Sequence, residues 1–195
     1  MELEIVTNVA GAFSAWQDEE SFPFQPRCCV NGTRVATRVL RRFGIKAKPV
    51  SVHFVLFNQQ ALQLWRAGVP VEEWPSEAWS LGVGPENMSA GGGVELWPGH
   101  LVAEGNGWTL DVSARQFHRP GRLTVDEPLV FDFNLPHTGG ISTTDSLSQT
   151  LMIARWPDNN GWRQAPGWKR AHEAEVDELF RRTLLLLNER NQDEN

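Results

Sequence analysis

Two adjacent cysteines, a histidine and an aspartate have the residue types and the order of a thiol-based catalytic site. Cys28 and Cys29 stand where a helix is predicted to begin, and the free amides and dipole of a helix N-terminus favour the thiolate form of a cysteine. His100 and Asp111 flank Gly105-Asn106-Gly107, whose residue types suit a tight hairpin turn. We therefore expect the imidazole and the carboxylate to lie roughly opposite each other on neighbouring strands, within hydrogen-bonding reach. A thiol, an imidazole and a carboxylate in this arrangement predict nucleophilic catalysis.

The elements that must position these side chains can be predicted from periodicity. Apolar residues at helical spacing predict helices over 4–17, from Cys28 or Cys29 to Gly44, over 59–66 and over 171–190. Strands are predicted at 47–57, 94–103, 107–112, 129–133 and 150–156. The segment 68–93 is interpreted as irregular cover, with a lid as the alternative. Helices first, strands in the middle and a closing amphipathic helix predict an α+β fold with a mainly antiparallel sheet.

Composition narrows the classes of partner. The 195 residues carry a formal net charge of -6, with 24 acidic against 18 basic side chains, so nucleic acid and membrane surfaces are not expected partners. The chain has only two cysteines, and because they are adjacent they cannot form a disulfide framework. The N-terminus is acidic and no apolar run is long enough to span a bilayer. We expect one cytoplasmic domain over residues 1–195 with reduced thiols, and the oligomeric state stays open.

The stretch from Cys29 onwards resembles the nucleophile helix of the transglutaminase-like, papain-related cysteine enzymes. In that family a cysteine opens a helix ending in Leu-Arg-x-x-Gly-Ile-x-Ala, and residues 40–47 read Leu-Arg-Arg-Phe-Gly-Ile-Lys-Ala. The family continues with a strand carrying His, then a Gly-Trp turn into a strand carrying Leu-Asp. Residues 100–104, His-Leu-Val-Ala-Glu, and 107–111, Gly-Trp-Thr-Leu-Asp, are similar in order and type. The sequence departs in having His-Leu-Val-Ala for His-Ala-Trp-Val and Lys46 where proline is common.

The resemblance covers roughly residues 27–57 and 99–112, and it implies a papain/transglutaminase-like fold without metal or organic cofactor. The family spacing to Gly44 selects Cys29 as the nucleophile, with His100 as the base and Asp111 orienting the imidazole. An oxyanion hole would come from the backbone amide of Cys29, and Gln25 is the candidate second donor. The implied activity is hydrolysis of an amide, peptide or isopeptide bond in a peptide, a protein or a small amide.

Several alternatives stay open at this point. An amine acceptor in place of water would give an acyltransferase of the transglutaminase or arylamine-acetyltransferase type, and the same fold can also serve as a non-catalytic binding module. Zinc held by both cysteines and His100 is disfavoured, because structural zinc sites space their thiolates by two to four residues. His53 is expected to be structural and is the reserve base. The remaining histidines are expected at the surface: His118, His137 and His172.

Overall fold

The protein is described here from a computed structural model that covers residues 1–24, 29–84, 99–125, 127–145 and 148–193. The candidate oxyanion donor Gln25, the neighbouring Cys28 and the part of the predicted strand over 94–98 lie outside these described residues. The helices are α1 (Glu2–Gln17), α2 (Cys29–Arg42), α3 (Gln59–Arg66), α4 (Pro166–Lys169) and α5 (Glu173–Asp193). The strands are β1 (Lys48–Phe57), β2 (Ser80–Val83), β3 (His100–Glu104), β4 (Thr109–Asp111), β5 (Leu129–Phe131), β6 (Gly140–Thr144) and β7 (Thr150–Arg155).

Within the described residues the seven strands form one antiparallel sheet in the order β5-β4-β3-β1-β7-β6, with β2 also paired to β1. One edge of β1 is shared by two strands. Its first half pairs with β3 as far as Val52 opposite His100, and its second half pairs with β2 from Phe54 opposite Val83. β2 and β3 therefore lie end to end along β1, and residues 84–99 connect them.

Helices α1, α2 and α5 pack on one face of this sheet around a shared apolar core. The predicted stripe on α2 is confirmed: Val35 and Leu40 are fully buried, and the arginines of the helix lie off the stripe. Gly44 ends the helix as predicted, with φ +78, while Ile45 N–H donates to the Leu40 carbonyl at 2.9 Å. These two features form a Schellman cap, which satisfies carbonyls that the helix leaves free. The predicted α+β class is confirmed, as are the opening helices and the closing amphipathic helix.

The sheet is curled, and a cavity lies on the face opposite the helices. Residues from both outer strands, Leu129 and Phe131 of β5 and Thr143 of β6, line the same cavity of about 480 Å³. Phe54 and Leu56 of the central strand β1 line it as well. Because the two ends of the sheet meet around one cavity, the strands must wrap around it rather than lie flat.

Three expectations need correction. The segment 68–93 is not wholly irregular, since it contains β2 and a 3₁₀ turn over Val71–Glu73. Strand β6 was not predicted, because it is an edge strand whose residues are mostly exposed and so show no alternation. His172 is buried rather than at the surface; its Nε2 bonds the Gly167 carbonyl at 2.7 Å, and its ring packs edge-on against Phe24. Among the described residues, no helix is both long and apolar enough to cross a membrane.

Candidate active site

Cys29 is the first residue of α2, so the position predicted for the nucleophile is confirmed as a helix N-terminus. Its side chain is 8% exposed and packs against Leu101 of β3 and Trp162. One turn further along α2, Thr33 Oγ1 donates to the Leu101 carbonyl at 2.8 Å in a buried hydrogen bond. This bond ties the start of the helix to β3, one residue beyond His100, so the thiol and the imidazole are held by directly connected elements.

His100 and Asp111 are brought together as expected. The His100 Nε2 and Asp111 Oδ2 atoms are 2.6 Å apart, and both side chains are almost fully buried. The second carboxylate oxygen, Oδ1, accepts hydrogen bonds from the backbone amide of Ser113 at 3.0 Å and from its hydroxyl at 3.1 Å. Three hydrogen bonds thus fix the carboxylate, which in turn fixes the plane of the imidazole.

The register of the hairpin differs from the expectation. The ladder pairs Ala103 with Leu110, and Gly105 N–H donates to the Trp108 carbonyl at 3.2 Å, so the loop consists of two residues, Asn106 and Gly107. If the same register is continued along the two strands, Asp111 lies opposite Val102 rather than opposite His100. The two side chains are diagonal neighbours two positions apart. A shift of two keeps both on the same face, and diagonal neighbours stay within reach of long side chains.

The 3₁₀ turn Ala114–Phe117 completes the surroundings of the imidazole. Gln116 Nε2 lies 3.2 Å from His100 Nδ1, the ring nitrogen that Asp111 does not hold. The rings of Phe117 and Phe54 pack edge-on against the imidazole, with centroids 4.9 and 5.2 Å away. Sequence reasoning missed Gln116 and Phe117. The sequence feature that could have identified them is their position directly after β4, the strand that ends in Asp111. A turn that is anchored on Asp111 at this point has to fold back over His100.

The electrostatics favour a protonated imidazole. Complete burial lowers the pKa of His100, but the charge of Asp111, its hydrogen bond and a further hydrogen bond with the Cys29 side chain raise it by more, to about 10. Since Nε2 is held by Asp111, Nδ1 is the nitrogen available to the thiol. His100 is thus hydrogen-bonded to Asp111 and interacts electrostatically with Cys29, and these three residues are called the series below.

The thiol is covered by the segment just before α5. Trp162 packs on Cys29, and Trp168 meets the ring of Trp162 at a centroid distance of 4.5 Å. Gly167 lies so close to α2 that a Cβ atom there would fall 1.6 Å from Asn31 Oδ1. The short helix α4 is thereby fitted closely against the first turn of α2.

Other candidates lie elsewhere. His53 is on the opposite side of β1 from Val52, the residue paired with His100, and packs near Trp156 at 6.2 Å, so it does not join the series. The 480 Å³ cavity is lined by Asp111, but Cys29 is not among its lining residues, so it lies behind the acid rather than around the thiol. Among the described residues, no group of three or more His, Cys, Asp and Glu side chains is placed to hold a metal ion.

Similarity to known proteins gives no further information about the site. Comparison of the chain with family models, curated proteins and solved structures found no match. The functional interpretation therefore depends on the arrangement of Cys29, His100 and Asp111.

Proposed function

We propose that the protein is a cysteine-dependent acyl-transfer enzyme with a papain/transglutaminase-like fold, hydrolysing an amide, peptide or isopeptide bond. The observation that carries this proposal is a buried imidazole that a carboxylate holds at 2.6 Å and whose pKa is raised both by that carboxylate and by a cysteine at a helix N-terminus. Helix dipole and imidazolium both favour a thiolate, the reactive form of cysteine. A carboxylate-held imidazole can then give and take the proton that acyl transfer requires.

The reaction follows from these positions. The Cys29 sulfur attacks the carbonyl carbon, forming a C–S bond while the carbonyl electrons move to oxygen. The backbone amide of Cys29, at the free end of the helix, stabilises that oxyanion. As the C–N bond breaks, His100 gives its proton to the leaving amine and the thioester remains. His100 then takes a proton from water, the hydroxide displaces the sulfur, and the carboxylic acid leaves.

Gln116 is assigned a positioning role. Its amide can donate from Nε2 to an unprotonated Nδ1, or turn over and accept at Oε1 from a protonated Nδ1. Both protonation states of His100 therefore retain a partner through the cycle. The edge-on rings of Phe54 and Phe117 limit rotation of the imidazole while it changes state.

A non-catalytic binding module is the second candidate. It is favoured by the low exposure of Cys29, which at 8% resembles that of a cysteine packed as a small apolar residue. In that case the thiol would behave as an ordinary one. The two candidates therefore differ in the protonation behaviour of a single side chain.

Alkylation by iodoacetamide separates them. Because the chain has two cysteines, Cys28→Ala leaves Cys29 as its only thiol, and Cys29→Ala leaves only Cys28. We expect Cys29 to be alkylated at a rate that changes little from pH 5 to 8, while Cys28 gains about tenfold per pH unit, as a thiol of pKa about 8.5 does. The shape of this profile does not depend on how well the reagent reaches the sulfur.

A rate for Cys29 that rises tenfold per unit over the same range would exclude the enzyme and leave the binding module. If turnover of an amide is then found, we expect Cys29→Ala to abolish it and Cys28→Ala to leave most of it. Adding a primary amine tests the acceptor. An amide product would show transfer to the amine, whereas a free acid alone would show hydrolysis.

A further inference from the structure

Residues 157–171, which connect β7 to α5, carry the two tryptophans that cover Cys29 and are called the lid below. Trp162 is the one residue of the lid that is buried. Among the described residues, the backbone hydrogen bonds of the lid run only between near neighbours along the chain. The last backbone bond to the sheet lies just before the lid, where Trp156 N–H donates to the Ser51 carbonyl at 2.8 Å. A segment that is tied in this way can open without breaking the sheet or the helices.

The closed lid leaves two buried polar atoms without partners. Trp162 Nε1, on the lid, and Asn31 Oδ1, on α2, make no hydrogen bond to any described residue. Asn31 Oδ1 lies against the lid, since a Cβ atom at Gly167 would fall 1.6 Å from it. Buried polar groups are normally hydrogen-bonded, and an unpaired one carries the full loss of its hydration. Opening returns both atoms to water, so this contact works against the closed state.

His172, directly after the lid, holds it from the side of α5. Its Nε2–H donates to the Gly167 carbonyl at 2.7 Å. Its Nδ1 lies 3.4 Å from Glu175 Oε1, which also pairs with Arg170 of the lid at 2.8 Å. The backbone of His172 has φ +56, a conformation that is unfavourable for residues other than glycine. Such strain persists only where the surroundings hold a residue in place, and it is common in clamps and switches.

We propose that residues 157–171 open as a lid over Cys29 and that His172 latches them closed. Arg34 of α2, which stacks over the Trp168 ring at 4.8 Å, adds a weaker hold from the opposite side. In the closed state the two indole rings keep bulky molecules from the sulfur of Cys29, which is 8% exposed. In the open state an acyl group can reach it. Access to the sulfur does not depend on its charge, so the lid and the proposed function can fail separately.

The rate at which Cys29 reacts with the bulky reagent N-phenylmaleimide measures the opening. The experiment uses the Cys28→Ala protein, in which Cys29 is the only thiol. We expect His172→Gly to raise this rate about fivefold, because the lid loses one hydrogen bond while glycine suits the positive φ. The factor is expected to be the same at every pH between about 6 and 8, because access multiplies the rate whereas the fraction of thiolate sets its pH dependence.

A second variant acts from the side of α2. Arg34→Gln removes the stacked cation and is expected to raise the rate about threefold. Ser148→Gly is the matched control for His172→Gly, since Ser148 is exposed, has φ +59 and lies in the turn between β6 and β7. Arg66→Gln, at an exposed arginine of α3, is the control for Arg34→Gln. Both controls are expected to react as the Cys28→Ala protein does.

Hydrogen exchange separates movement of the lid from a local gap left by the missing side chain. The backbone amides of residues 161–170 are expected to exchange faster in His172→Gly than in the wild type, while those in the second half of α2 are unchanged. The proposal is overturned if neither His172→Gly nor Arg34→Gln speeds the reaction of Cys29, or if the reaction speeds up while exchange in the lid does not. A factor that changes with pH would also contradict it, because the variants would then alter the pKa of the thiol rather than its access.

Discussion

At the residue scale, the two oxygens of Asp111 serve different parts of the site. Oδ2 holds the His100 imidazole, and Oδ1 holds Ser113 by its amide and its hydroxyl. Ser113 begins the turn that carries Gln116 to the other side of the same imidazole. One carboxylate therefore orients the ring directly and also positions the residue that contacts the ring from its far side.

Asp111→Asn is expected to lower the alkylation rate of Cys29 at pH 6 about tenfold or more. An amide nitrogen facing Nε2 donates instead of accepting, so it favours a neutral ring in the wrong tautomer, which no longer supports a thiolate. Any turnover of an amide substrate is expected to fall together with the alkylation rate, while the circular dichroism spectrum of the protein stays unchanged. The exposed Asp132→Asn is the control, and a wild-type alkylation rate in Asp111→Asn would remove Asp111 from the site.

Gln116→Glu is expected to move the alkylation profile of Cys29 to higher pH by about one unit. A carboxylate beside Nδ1 competes with the thiolate for the same imidazolium proton, and its negative charge disfavours a second anion nearby. Gln63→Glu, on the exposed side of α3, adds the same charge away from the site and serves as the control. An unchanged profile in Gln116→Glu would show that Gln116 does not face the nitrogen used by the thiol.

At the element scale, the position of Cys29 depends on how closely α2 fits its neighbours. A Cβ atom at Gly32 would lie 3.0 Å from Val112 Cγ2 and 3.2 Å from Phe13 Cζ, both in fully buried residues. At Gly11, in α1, the nearest atom outside the helix backbone is Leu186 Cδ1, at an ordinary 3.6 Å. These two helical glycines therefore provide a matched pair.

Gly11→Ala is expected to raise the free energy of unfolding by about 1 kcal/mol, the usual gain in helix propensity. Gly32→Ala gains the same propensity but overpacks the core, which costs about 1–3 kcal/mol, so its free energy of unfolding is expected to fall. Urea denaturation measures both. Equal stabilisation in the two variants would mean that α2 can move away from Val112 at little cost.

The same elements show how far sequence could predict the structure. Helices α1, α2 and α5 each bury one continuous stripe, and Gly44 marks a stop, so periodicity was sufficient for them. The edge strand β6 lacked such a stripe. The series of Cys29, His100 and Asp111 was predictable because its residues open or end elements. Gln116, whose role depends on the path of a turn, was not.

At the scale of the whole molecule, the proton on His100 links the site to stability. The pKa of this imidazole is about 10 in the folded protein and near 6.5 in an unfolded chain. Below pH 6.5 both states hold the proton and the stabilisation is fully present. Between pH 6.5 and pH 10 only the folded state holds the proton on His100. A rise in pH over this range therefore favours unfolding, and the stabilisation that this proton gives is lost near pH 10.

We therefore expect the wild type to lose about 2 kcal/mol of stability relative to His100→Gln, mainly between about pH 8.5 and 10. Below about pH 8.5 the proton that the unfolded chain keeps on Cys29 offsets the proton that the folded chain keeps on His100. Urea denaturation at several pH values measures this difference. His53→Gln, which removes an imidazole outside the series, is expected to follow the wild-type curve. Parallel curves for the wild type and His100→Gln would show that His100 is neutral in the folded protein.

The end-to-end arrangement of β2 and β3 bears on how such a protein can diversify. Val83 and His100 face residues of β1 only two positions apart, a distance of about 7 Å along a strand, so the chain leaves and returns at nearly one point. Residues 84–99 are in effect an insertion into one interrupted strand. Because each doubling of a loop costs only about 0.6 kcal/mol, such an insertion can lengthen or shorten without changing the register on either side. The insertion rejoins the sheet immediately before His100. Changes in its length or sequence can therefore alter the surroundings of the reactive residues while the strand pairing of the sheet stays the same.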